Sequence, residues 1–118
     1  MDIIKLQSIL ENFAQERDWN KFHTPKNLAA ALTVEASELL EVFQWMTDAE
    51  SERIIESEKD MALIREELAD IQIYLLRLAD KLKVDLEKAV EYKIDINRKK
   101  YPVDLAKGNA VKYNRRSK

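Results

Sequence analysis

Apolar residues return along this chain every three to four positions, the period of a helix with one face turned to a core. Ile3, Leu6, Ile9, Leu10 and Phe13 form the first such stripe. With Asp2 as a capping carboxylate, a helix is expected from about Asp2 to about Glu16. Arg17 to His23 reads as a polar-aromatic connection. Thr24-Pro25 then opens a second helix, a capping hydroxyl followed by proline at the first helical position, and the pattern carries it to about Met46. Thr47 and Asp48 offer another cap, with a short helical stretch over 49–56. A third helix is expected from about Lys59 to about Leu82, and a fourth from an Asp85 cap to about Lys100, stopping before Pro102. Only Lys83 and Val84 are left to turn the chain between these two. One continuous helix over 59–100 is the alternative, but it would be about 60 Å long, more than a domain of this size can cover.

Two of the stripes are interrupted by acids. The second helix reads Leu28, Leu32, Glu35, Leu39, Val42 and Met46; the third reads Ile64, Glu67, Ile71, Tyr74 and Leu78. Glu38 follows Glu35 and Asp70 follows Glu67 three residues on, so each acid has a partner on its own side of the helix. The number of such pairs is what chance gives; their placement on apolar stripes is the information. Carboxylates taken from water need neutralising, and a cluster of four suits magnesium, which prefers carboxylate and water oxygens and brings phosphates with it. On periodicity alone, an equally good account puts these acids at stripe edges, facing solvent or lysines.

Composition narrows the class. The 118 residues make one domain with a single core, and one Gly and two Pro leave little turn chemistry for a β protein. The expectation is an all-α four-helix bundle. Without cysteine there is no disulfide framework, thiol nucleophile or zinc–thiolate site. No segment reaches the length of a membrane span and the first residues lack the pattern of a leader, so the cytoplasm is the expected location and no membrane partner is expected. The net charge of −2 hides an asymmetry: residues 1–97 sum to −9 and residues 98–118 to +7. The basic end is spread around Pro102 and Gly108, which fits an extension lying on acidic surface or lending cations to an anionic ligand better than a nucleic-acid site.

The text around the acids is specific. Residues 17–23, Arg-Asp-Trp-Asn-Lys-Phe-His, precede Thr-Pro-Lys-Asn-Leu. Glu41-Val-Phe-Gln-Trp45 follows the first acidic pair and Ile71-Gln-Ile-Tyr74 the second. Lys93-Ile-Asp-Ile-Asn97-Arg98-Lys-Lys-Tyr101-Pro102 closes the fourth helix. Over residues 2–102 this combination resembles the MazG-like all-α nucleoside triphosphate pyrophosphohydrolases, nearest their dCTP-pyrophosphatase branch. Residues 103–118 are left as a basic extension. The resemblance implies Mg²⁺-dependent hydrolysis of (deoxy)nucleoside triphosphates, dCTP or related pyrimidines among them, to monophosphate and pyrophosphate, with Mn²⁺ able to substitute. It makes Glu35, Glu38, Glu67 and Asp70 the metal ligands. Glu38 and Glu41 are both candidates for taking the proton of the attacking water, and the sequence does not choose between them. Trp19 and Trp45 match positions that sandwich the base, with Tyr74 facing the sugar or base. Lys93, Asn97, Arg98 and Tyr101 would meet the triphosphate and the rest of the ligand. Some dCTP-preferring relatives carry histidine at the position of Leu10, so strict cytosine preference is not implied. His23, the sole histidine, reads as a loop residue rather than a catalytic one.

A homotetramer arranged as a dimer of dimers follows from the same resemblance, and surplus apolar positions such as Phe43, Leu75 and Leu78 point independently to self-association. Two rivals stand beside this reading. A ferritin-type di-metal oxidase needs Glu-x-x-His on two helices, which a single histidine cannot supply. A non-catalytic helical interaction module would bind neither Mg²⁺ nor nucleotide.

Overall fold

The computed structural model describes residues 1–115, and among them every regular element is helical. Four long helices carry the fold: α1 Ile3–Glu16, α2 Pro25–Phe43, α4 Glu58–Lys81 and α5 Leu86–Lys100, with short helices α3 Asp48–Glu52 and α6 Val103–Ala106 and 3₁₀ turns at Ile54–Glu56 and Tyr113–Arg115. None is long and apolar enough to cross a membrane.

The starts are set by side-chain caps. Asp2 accepts from the Lys5 N–H at 3.0 Å, Thr24 from Asn27 at 3.2 Å and Asp85 from Lys88 at 3.1 Å, each contact being worth about 1 kcal/mol. Thr47 and Glu50 form a reciprocal capping box at the start of α3. Ser57 caps α4 through the Asp60 N–H at 3.3 Å, so that helix opens at Glu58, one residue before the expected Lys59.

Two boundaries differ further. The second helix ends at Phe43 rather than Met46, because the Met46 N–H turns back to the Phe43 carbonyl at 2.9 Å and the chain then re-caps at Thr47. The expected helix over 49–56 is two pieces, parted at Arg53, whose N–H bonds to Glu50 and Ser51 carbonyls.

Both α1 and α4 end in a Schellman motif. Trp19 N–H bonds Ala14 O at 2.8 Å and Val84 N–H bonds Ala79 O at 2.9 Å, with Asp18 (φ 55°) and Lys83 (φ 56°) in the left-handed conformation. The break between the third and fourth long helices is therefore real, and Lys83 makes it without glycine.

The chain divides into two compact units, 1–84 and 85–118. In the first, α2 lies along α4 in the most extensive helix–helix contact, and α1 packs on α4. Ala14, Leu28, Ile64, Leu76 and Ala79 are buried there, and the Gln7 amide donates to the Leu76 carbonyl at 3.0 Å, tying α1 to α4. In the second unit, the Tyr113 N–H donates to the Tyr101 hydroxyl at 3.4 Å and the two rings meet edge to face.

Candidate active site

Because α2 and α4 run against each other, the acids that interrupt their apolar stripes meet. Glu35 and Glu38 from α2 and Glu67 from α4 each bring one carboxylate oxygen within 4.8 Å of the other two. Glu35 and Glu67 are half-buried, while Glu38 faces solvent. The Oε2 atoms of Glu35 and Glu67 are both shut off from water with no hydrogen-bond partner among the described residues. Buried acceptors without donors are expensive to keep.

The electrostatics follow from that geometry. Contact with Glu67 pushes the Glu35 carboxyl above the usual carboxylate range, helped by burial and by the charges of Asp70 and Glu67, against a smaller opposing effect of Glu38. Glu38 is raised chiefly by Glu35, with Glu41 adding to it. Two ionised carboxylates offer each other only acceptors, so the Glu35–Glu67 contact is a hydrogen bond only when a proton is shared. The cluster is relieved by a proton or by a cation. An all-oxygen donor set with two donorless buried oxygens fits a hard divalent cation.

Asp70 lies one turn beyond Glu67 on α4 and stands outside the triad, although its charge reaches Glu35. Glu41 lines a shallow depression with Glu38, Val42, Leu63 and Glu67. Asp70 also lines a mostly apolar pocket of about 190 Å³, with Leu10, Phe13, Trp19, Tyr74 and Arg77 among others. Burial raises the Tyr74 hydroxyl above its ordinary pKa, and the charges of Glu35 and Asp70 add to this. Tyr74 and Asp70 line the same pocket. Phe13 meets the Trp19 ring edge-on at 5.6 Å.

Trp19 and Tyr74 share this pocket, but Trp45 does not line it. It sits just past the end of α2 with 89% of its surface exposed. Lys93, Asn97 and Arg98 lie on α5 and Tyr101 caps its end. Lys93 and Asn97 are exposed, whereas Arg98 is paired with Asp95 at 2.9 Å.

Sequence reasoning missed Arg77. It is 2% exposed, on α4, and paired with Glu11 of α1. Its second terminal nitrogen donates to Asn20 Oδ1 at 2.8 Å and lies 3.2 Å from His23 Nδ1. Lys81 Nζ also donates to Asn20 Oδ1, at 3.0 Å. A lone arginine inside Leu75-Leu76-Arg77-Leu78-Ala79 is the signal that could have flagged it, since arginine is almost never fully buried unless paired.

Residues 30–115 match the model of the MazG-like family, a stretch reaching past Pro102 into the basic extension. The chain is 50% identical over 101 residues to dCTP pyrophosphatase 1 of Rattus norvegicus and to that of Homo sapiens, covering 86% of this chain and 59% of each relative. It therefore spans about three-fifths of the length of those curated relatives. Among solved structures, a pyrophosphatase from Archaeoglobus fulgidus superposes with a TM-score of 0.79 at 41% identity, covering 86% of this chain and 94% of that one. The chain belongs to the MazG-like family.

Proposed function

We propose that this member of the MazG-like family hydrolyses (deoxy)nucleoside triphosphates, dCTP or related pyrimidines among them, to the monophosphate and pyrophosphate. The observation that carries the reading is a triad of carboxylates from two helices, two with buried donorless oxygens, joined through Asp70 and Tyr74 to an aromatic pocket. The named activities of the similar proteins, dCTP pyrophosphatase and pyrophosphatase, support it.

Glu35, Glu38 and Glu67, with Asp70, would hold Mg²⁺, with Mn²⁺ as a substitute. Bound there, the ion supplies charge neutralisation to the triphosphate and acidity to a water. Water oxygen attacks the α-phosphorus, the bond from that phosphorus to the bridging oxygen breaks, and pyrophosphate leaves with the electron pair. Glu38 or Glu41 takes the water's proton. Trp19 and Tyr74 receive the base, whose flat face stacks on aromatic rings. Leu10 in the pocket wall offers no hydrogen bond, consistent with tolerance among bases. Lys93, Asn97, Arg98 and Tyr101 contribute contacts to the ligand, and the enzyme acts in the cytoplasm.

The active form is a homotetramer, a dimer of dimers. Trp45 and Leu40 stand 89% and 64% exposed, the kind of apolar surface that a second copy covers. Trp45 then serves a site that is not wholly built from its own chain. A panel of ribo- and deoxynucleoside triphosphates with Mg²⁺, scored separately for pyrophosphate and phosphate, tests the activity. Orthophosphate and a diphosphate as first products would refute it.

A further inference from the structure

The Trp19 wall of the pocket belongs to the connection between α1 and α2, a segment without a core of its own. Asp18 holds a left-handed conformation (φ 55°), and Trp19, Lys21 and Phe22 are all exposed to some degree. What fixes it is polar. The Asn20 side chain sits at the centre: its Oδ1 accepts from Arg77 at 2.8 Å and from Lys81 at 3.0 Å, and its Nδ2 donates to Glu11 at 3.0 Å. The orientation of that amide is set by charge, since the reverse would turn its N–H groups toward two cations and its oxygen toward a carboxylate. His23, three residues on, meets Arg77 at 3.2 Å through Nδ1, which must accept because a guanidinium only donates. The neutral ring this requires agrees with the lowering of the His23 pKa, chiefly by burial and then by the charges of Arg77 and Lys81, with Glu11 opposing. Between Asn20 and the helix end, Trp19 is packed between Phe13 (5.6 Å) and the His23 ring (6.2 Å).

We propose that Arg77 is a positioning residue for the nucleotide pocket: acting through Asn20 and His23, it fixes the 17–23 connection against α4 so that Trp19 forms the wall of the pocket that Tyr74 also lines. That the pocket receives a base rests on the function proposed above; the placement of Trp19 by Arg77 does not. A role in stability alone would be a poor use of this side chain. Its Nε has no partner among the described residues, and a buried ion pair is often no better for stability than apolar residues of similar volume. Its guanidinium instead reaches two residues of the connection that carries Trp19.

The test compares wild type with Arg77→Met and Asn20→Ala. Turnover of a nucleoside triphosphate with Mg²⁺ is measured on each. Acrylamide quenching of Trp19 is measured in a Trp45→Phe background, where it is the sole tryptophan. Both variants are expected to raise KM about 5- to 10-fold, in the range of losing one base–aromatic contact. The helical circular dichroism should be unchanged, kcat should stay within about 3-fold, and Trp19 quenching should rise. If Arg77→Met does not fold, Asn20→Ala, which leaves the Arg77–Glu11 pair in place, carries the test with the same readouts. A folded variant with wild-type KM overturns the proposal, whether or not its melting temperature drops or its quenching rises. If wild type turns over no triphosphate, the proposed function fails; rising Trp19 quenching in the variants still supports the placement by Arg77, and unchanged quenching overturns that as well.

Discussion

Replacing Glu35 by glutamine should make the metal-free protein more stable and make it blind to magnesium. In wild type the Glu35 and Glu67 carboxylate oxygens stand within 4.8 Å, where two full charges at an effective dielectric of about 20 repel by about 3.5 kcal/mol. Screening from the open Glu38 side reduces this to about 1–3 kcal/mol. Glutamine keeps the shape, and its amide can donate to the Glu67 oxygen that lacks a partner among the described residues. For a chain of this length, the gain corresponds to a rise of roughly 3–6 °C in Tm per kcal/mol.

The pH dependence has a definite sign. A carboxyl raised in the folded state stabilises the fold below its unfolded pKa, and that contribution is lost as pH rises through the folded value. With Glu35 raised from 4.5, the advantage of Glu35→Gln in EDTA should be small below about pH 4.5 and grow as pH rises toward neutrality. Thermal melts in EDTA across that range, then with millimolar Mg²⁺, measure both effects. Wild type should gain on adding Mg²⁺ and the variant much less. A variant that melts below wild type in EDTA at pH 7 and gains as much from Mg²⁺ would refute the reasoning.

Three further outcomes are expected. Glu38→Gln and Asp70→Asn should each lose at least about 100-fold in turnover while remaining helical by circular dichroism, because neutralising a repulsive cluster does not unfold it; an active Glu38→Gln enzyme would remove that residue from the site. Trp45→Ala should weaken nucleotide binding by about 1–3 kcal/mol; a lower Tm with unchanged KM would make it a packing residue between copies. Lys83→Gly should stabilise by up to about 1 kcal/mol, because φ 56° strains any residue with a Cβ, and urea unfolding midpoints read this directly.

The helices were legible because their signals are local. An apolar period and a capping side chain act within a few residues, so Asp2, Thr24 and Asp85 marked their helix starts correctly. Ser57 could have been read the same way from Ser57-x-x-Asp60. The end of α2 at Phe43 was not legible, since Gln44-Trp45-Met46 continues the apolar pattern and only the re-cap at Thr47 ends the helix. The acidic pairs led to an expected cluster of four, Glu35, Glu38, Glu67 and Asp70, because an acid on an apolar stripe is carried toward whatever that stripe packs against; the first three come together.

Tertiary structure decided the rest. Which three carboxylates come within 4.8 Å depends on how α2 and α4 are set against each other, and no spacing along one helix contains that; that Asp70 lines the pocket and stands outside the triad is decided the same way. The Arg77 network joins residues 54 to 66 positions apart. Sequence can mark Arg77 as an arginine in an apolar run, but not that Glu11, Asn20 and His23 are waiting for it. Hydrophobic period and capping are set by neighbours in the chain, whereas the pairing of charges is set by neighbours in space, and only folding makes those.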